Sequence, residues 1–150
     1  PIRPYDHVAD IGCGNGKHSV QLAKHLFGGR VFALDVEESK LETARAKIEQ
    51  VNLTNVKVML SEHNKLPLEG ACLDGAVLSK VLHHADNPKK LLAEARRCLK
   101  KTGWVSVIEN YTGDHSVSEP KLWDMVSKAG YRRIRQHSLD SKQYMLVMRK

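Results

Sequence analysis

Short apolar runs alternate along this chain with stretches in which apolar residues recur every three or four positions. The runs fall at residues 7–10, 31–35, 55–60, 73–79 and 104–108 and predict strands. Residues 31–35 are continuously apolar up to Asp35, the pattern of a strand covered on both faces. Between the runs the period is helical. Val20, Ala23, Leu26 and Phe27 mark a first helix closed by Gly28-Gly29. Leu41, Ala44, Ile48 and Val51 mark a second, with Ser39-Lys40-Leu41-Glu42 as its capping box. A third starts near Pro88, buries Leu91, Leu92, Ala95, Cys98 and Leu99, and is broken by Gly103. A polar loop at 111–117 leads to a fourth, capped by Ser118, with the stripe Leu122, Met125, Val126 and Ala129 and an end at Gly130. Residues 131–139 and 143–148 then flank the hairpin-like turn Asp140-Ser141-Lys142. Strands alternating with helices predict an α/β fold, a doubly wound and mostly parallel sheet closed by an antiparallel pair. No repeat or linker divides the chain, and 150 residues suffice for one domain, 1–150.

The first run, Val8-Ala9-Asp10-Ile11, ends in Gly12-Cys13-Gly14-Asn15-Gly16. A strand that breaks into a glycine loop before a helix builds a nucleotide-binding turn. Glycine lets the backbone turn tightly and approach a ligand with no Cβ in the way. The spacing is G-x-G-x-G rather than the dinucleotide G-x-G-x-x-G, and Lys17 stands where the third glycine would fall. A Walker phosphate loop needs Gly-Lys-Ser/Thr, and Gly16-Lys17-His18 lacks the hydroxyl. A glycine cluster without a ligand is the plain alternative; the strand, acid and helix around it weigh against that. Asp35 ends the second run 23 residues past Gly12, where a carboxylate accepts hydrogen bonds from ribose hydroxyls.

Asp10 followed by Gly12, Gly14 and Gly16 resembles the first motif of the class I S-adenosylmethionine-dependent methyltransferases. The chain is similar to that family, in its ubiquinone- and menaquinone-biosynthesis-like small-molecule group (type 11), over about residues 6–149. The resemblance implies a Rossmann-like class I methyltransferase fold, S-adenosyl-L-methionine as cofactor and a small-molecule methyl acceptor. It places Asp10, Gly12, Cys13, Gly14, Asn15 and Gly16 in the cofactor loop and Asp35 with Val36 at the ribose. Ser61-Glu62-His63-Asn64-Lys65-Leu66-Pro67-Leu68 resembles the family segment G-D-A-x-x-L-P-F, which puts Glu62 and His63 at the adenine. Ser for Gly, Glu for Asp and His for Ala are departures, and an ordinary turn before Pro67 is the alternative. Ser79-Lys80-Val81-Leu82-His83-His84 stands where that group carries a Leu-His-His run. This assigns Ser79, Lys80 and Val81 to the methionine part of the cofactor. Residues 80–84 then line the acceptor pocket under loop 111–117. The Asn/Asp-Pro-Pro-Tyr motif of methyltransferases acting on nucleobases is absent, which counts against base methylation.

His83 is the candidate general base, since imidazole titrates near neutrality and some acceptors must lose a proton. A packing or capping role is an equal alternative. Adjacent histidines on one element are expected to point apart, and no carboxylate stands at ligand spacing, so no metal site is expected.

The net charge of +7 is uneven: residues 1–75 hold 9 Lys/Arg against 10 Asp/Glu, residues 76–150 hold 15 against 7. Nucleic acid is a partner such a half can attract, but no aromatic side chains are interleaved with the charges, and a solvated surface is favoured. The three cysteines are scattered and odd in number, there is no secretory signal, and no run reaches the roughly 18 apolar residues of a membrane span, so a cytoplasmic protein is expected. The pattern sets no oligomeric state. The chain opens on Pro1, and only about six residues precede the first strand, where the family carries a helical cover; an upstream segment is consistent with this. The rival functions are a nicotinamide-dependent oxidoreductase, an RNA methyltransferase, and a non-catalytic S-adenosylmethionine-binding module that needs a partner.

Overall fold

The apolar runs become the strands of a single sheet. The computed structural model describes residues 2–150. Its elements are β1 (His7–Ile11), α1 (Lys17–His25), β2 (Arg30–Asp35), α2 (Glu38–Gln50), β3 (Val56–Leu60), β4 (Leu73–Ser79), α3 (Pro88–Cys98), β5 (Leu99–Asn110), α4 (Glu119–Lys128), β6 (Arg132–Ser138) and β7 (Gln143–Arg149). The strand order is β3-β2-β1-β4-β5-β7-β6. The first five strands pair in parallel, and β7 pairs antiparallel with both β5 and β6. The chain order reverses between β1 and β4, and ligands of doubly wound sheets bind at the carboxyl ends of the strands at such a point.

Side chains alternate across the sheet, and its two faces are covered unequally. On one face Ala76, Leu78, Val105, Val107, Leu146 and Met148 meet Leu91, Leu92 and Ala95 of α3 and Leu122 and Val126 of α4; this is the main core. On the other face Val8, Val31, Val77 and Trp104 pack under Ala23 and Leu26, and Leu41 of α2 meets Cys13 and Ala33. Beyond α1 this second face opens into an apolar groove of about 750 Å³ walled by Leu22, Val77, Trp104, Ile108, Met145 and Val147 among others. Trp104 Nε1 and Ser106 Oγ are buried there without a hydrogen-bond partner.

Several local expectations are corrected. Helix α1 stops at His25, short of Gly28, so Phe27 leaves the predicted stripe and is 75% exposed. The carbonyls of Ala23 and Leu26 accept from the Asn55 amide. The Ser39 capping box does not form: α2 begins at Glu38 with Glu37 as N-cap and no side-chain cap. Val51 lies past the end of α2 and is exposed. Gly103 does not end α3, because Leu99 already pairs with Leu73 in the sheet. Asn87 caps α3 by accepting from the Lys90 N–H. Ser118 holds the N-cap position of α4 without a side-chain bond.

Candidate cofactor and acceptor site

The glycine loop leaves β1 under tight backbone control. The N–H groups of Gly12 and Cys13 both donate to the Leu34 carbonyl, at 2.7 and 2.9 Å. Gly12 has φ 72°, and a Cβ there would stand 2.5 Å from Val81 Cγ2. Gly14 has φ 53°, and a Cβ there would meet nothing within 4 Å, so the glycine keeps an open cradle. The Gly14 N–H donates to Asp35 Oδ2 at 2.8 Å and the Glu37 N–H to Oδ1 at 3.0 Å. Asp35 therefore ties the loop to the start of α2. A carboxylate has about four acceptor positions, so capacity for two hydroxyls remains.

Beneath the loop, Asp10 is 1% exposed and accepts from Ser19 Oγ at 2.6 Å. Burial raises its carboxyl above the usual range, against the opposing pull of the Ser19 bond. Burial, with Asp10 and Asp35 nearby, likewise pushes the Cys13 thiol up to about 12, which keeps it protonated and inert.

A cleft of about 160 Å³ opens at the strand ends. Ile11 at the end of β1 and Gly12 of the loop, Asp35 to Glu37 at the end of β2, Ser61 to His63 after β3 and Lys80, Val81 and His84 after β4 line it, with Leu66 and Leu91 as apolar wall. Of the residues predicted from sequence, Gly12, Asp35, Val36, Glu62, His63, Lys80 and Val81 are brought together as its wall. Asp10, Cys13, Gly14, Asn15, Gly16, Ser79 and His83 are not among the lining residues. The Glu62–Lys65 bridge shapes the segment after β3, and His63 Nδ1 lies 3.3 Å from Asp86 at the rim. Lys80 has φ 58°, a left-handed conformation uncommon for a residue with a side chain, and its N–H donates to the Ile108 carbonyl.

Left-handed Lys80 ends the strand alternation, and residues 82–84 form a turn. The expectation that His83 and His84 point apart is corrected for that reason: their ring centroids are 3.9 Å apart. His115, from the loop after β5, joins them at 5.7 and 5.1 Å. His83 Nδ1 donates to Glu109 Oε2 at 2.7 Å, and Glu109, fully buried, also accepts the Leu82 N–H at 3.0 Å. This pairing fixes the tautomer and leaves Nε2 with a free lone pair. The pKa of His84 is lowered by partial burial and by the neighbouring His83 and His115. Sequence reasoning missed Glu109 and His115. An acid directly after the apolar run 104–108 was a readable sign of the first; nothing marked the second.

A parallel sheet closed by an antiparallel β7, with a glycine loop after β1 and an acid ending β2, defines the class I methyltransferase architecture. The family model described as "Methyltransferase domain" matches residues 9–107. The chain belongs to this family, whose methyl donor is S-adenosylmethionine. It is 36% identical over 133 residues to an uncharacterized 37.1 kDa protein in transposon TN4556 of Streptomyces fradiae, covering 88% of this chain and 37% of that one. It is 26% identical over 129 residues to a demethylmenaquinone methyltransferase of Listeria monocytogenes, covering 84% and 52%. A crystal structure of a SAM-dependent methyltransferase from Aquifex aeolicus superposes with TM-score 0.90 at 27% identity, covering 97% of this chain and 82% of that one. The chain thus spans about half or less of the length of these two curated relatives. No helix among the described residues is long and apolar enough to cross a membrane.

Proposed function

We propose that residues 1–150 act as one cytoplasmic methyltransferase domain that binds S-adenosylmethionine in the polar cleft and methylates a small-molecule acceptor. The carrying observation is the Asp35 carboxylate, held at the cleft by the Gly14 N–H of the glycine loop. The residues present suit the donor: Asp35 for both ribose hydroxyls, the open cradle at Gly14 for close backbone approach, and Glu62 with His63 for the adenine edge. Val36 stands beside the ribose position, and Lys80 and Val81 face the methionine part. When bound, the donor supplies an electrophilic methyl on a sulfonium, already a good leaving group. The protein's part is mainly to hold the acceptor atom in line with that methyl.

Where the acceptor is a hydroxyl, His83 Nε2 takes its proton, with Glu109 orienting the ring and stabilising the imidazolium. The name of the Listeria relative, a demethylmenaquinone methyltransferase, supports a small acceptor of the quinone kind. RNA is disfavoured. Arg133 does lie over Trp123 at 4.9 Å, but one such stack makes no base platform. The test is methyl transfer from tritiated donor to a panel of phenols and quinols, alongside donor-affinity calorimetry. His83→Ala is expected to lower turnover about 10²–10⁴-fold with donor affinity unchanged. Turnover that falls only in step with stability would reduce His83 to packing.

A further inference from the structure

Three histidines from two separate segments converge at the carboxyl ends of β4 and β5. One ring nitrogen of each of His83, His84 and His115 lies within 4.8 Å of the other two. A tetrahedral ion with metal–nitrogen bonds of about 2.0–2.1 Å holds its ligand nitrogens roughly 3.3 Å apart. Small side-chain rotations of His84 and His115, both exposed, close that difference.

The surroundings favour a ligand set over a chance stack. Glu109, fully buried, accepts from His83 Nδ1, which leaves Nε2 unprotonated and available as a ligand. A carboxylate behind a ligating histidine is the usual outer support of a metal site: it fixes the tautomer and raises ligand basicity. The loop that carries His115 is pinned at both ends. Asn110 donates to the His115 carbonyl at 3.1 Å, and the Tyr144 hydroxyl donates to the Val117 carbonyl at 2.6 Å. His84 also lines the cleft, so an ion held here borders the acceptor space.

We infer that His83, His84 and His115 bind one divalent transition-metal ion, with a coordination position open toward the acceptor. Three imidazoles suit zinc, copper, iron or nickel rather than magnesium or calcium. Three protein ligands with one open position is the composition of a catalytic rather than a structural site. In the metal-bound form His83 Nε2 is occupied and does not serve as base. The ion instead lowers the pKa of a bound hydroxyl, whose proton passes to solvent. Only this role for the ion rests on the methyltransferase reading; the binding itself does not.

The test is titration of the tag-free, chelator-treated full chain with Co²⁺ alone, with no methyl donor present. One equivalent is expected to give the visible absorption of a low-coordinate nitrogen-ligated ion, displaced by Zn²⁺. His84→Ala and His115→Ala should each abolish the band while leaving the metal-free thermal melt in place, since both side chains are exposed. Glu109→Gln should weaken Co²⁺ binding about 10–100-fold. Absence of the band at stoichiometric Co²⁺, or a band unchanged in both histidine variants, would overturn the site. Binding of S-adenosylhomocysteine to the same metal-free protein is read separately by calorimetry. Its failure would strike the donor reading and not this one.

Discussion

Two cavities among the described residues lie against one sheet and differ in what lines them. The groove on the α1 face is about 750 Å³ and mostly apolar, with His18, Gln21, Lys24 and His25 of α1 along one side and the unpartnered Trp104 N–H and Ser106 hydroxyl on the sheet. The cleft at the strand ends is about 160 Å³, and Asp35, Glu37, Lys40, Glu62, His63, Lys80 and His84 line it. A donor that carries a ribose, an amino acid and a sulfonium needs hydrogen-bond partners at fixed positions, which is why the proposed donor site is the smaller cavity. The groove is uncovered core surface: Val77, Ser106 and Val147 sit side by side in register on the sheet, with α1 covering only the edge of that row. The cleft also lies at the strand ends where the chain order reverses, the position at which doubly wound sheets bind ligands.

The comparison breaks most readily at Asp35. Asp35→Ala should weaken S-adenosylhomocysteine binding by about 2–4 kcal/mol, because hydrogen bonds to a charged group are each worth about 1.5–3 kcal/mol and are not additive. It should also lower the melting temperature, since the Gly14 and Glu37 N–H groups lose their acceptor. An unchanged dissociation constant would remove Asp35 from the site. Next in size is Gly12→Ala. Its methyl would press on Val81 at a left-handed backbone position, for a loss of about 2–3 kcal/mol in denaturant unfolding. A loss below about 0.5 kcal/mol would mean that the loop and Val81 separate freely.

On the groove side, Met145→Gln should leave S-adenosylhomocysteine affinity within about twofold, a change of roughly 0.4 kcal/mol. A large loss of affinity would transfer the donor site to the groove. The smallest effect concerns Glu94, which holds the cleft residue Leu66 by its N–H and pairs with Arg97. The Arg97 hydrogen bonds keep its carboxyl below the ordinary 4.5 despite partial burial. The folded state therefore binds fewer protons there than the unfolded chain. This contribution is present above the ordinary value and is lost as pH falls through the lowered one. Glu94→Gln should flatten the acid limb of the stability curve by less than about 1 kcal/mol, since Arg97 is largely solvated. A limb unchanged from wild type would mean that the pair contributes nothing.

The strand positions, the glycine loop and Asp35 were legible in the sequence because each rests on local pattern: apolar runs, spaced glycines and an acid at a strand end. Failures came where a distant group overrides a local signal. Ser39-Lys40-Leu41-Glu42 reads as a cap, yet Asp35 takes the Glu37 N–H and α2 starts earlier. Phe27 has the spacing of a core residue but lies past the end of α1, where it meets Tyr5 edge-on at 6.2 Å. The histidine cluster was the least legible part. It needs Lys80 to break the strand period and a loop 30 residues further on to deliver His115, and neither leaves a mark on spacing.

The central claim, that the polar cleft and not the larger apolar groove receives the methyl donor, is tested most directly by a crystal structure with S-adenosylhomocysteine bound. The account predicts both ribose hydroxyls on the Asp35 carboxylate, the adenine edge at Glu62 and His63, and the sulfur on the Lys80–His84 side. A ligand seated in the groove against Trp104 and Met145, or one that leaves Asp35 untouched, would contradict it.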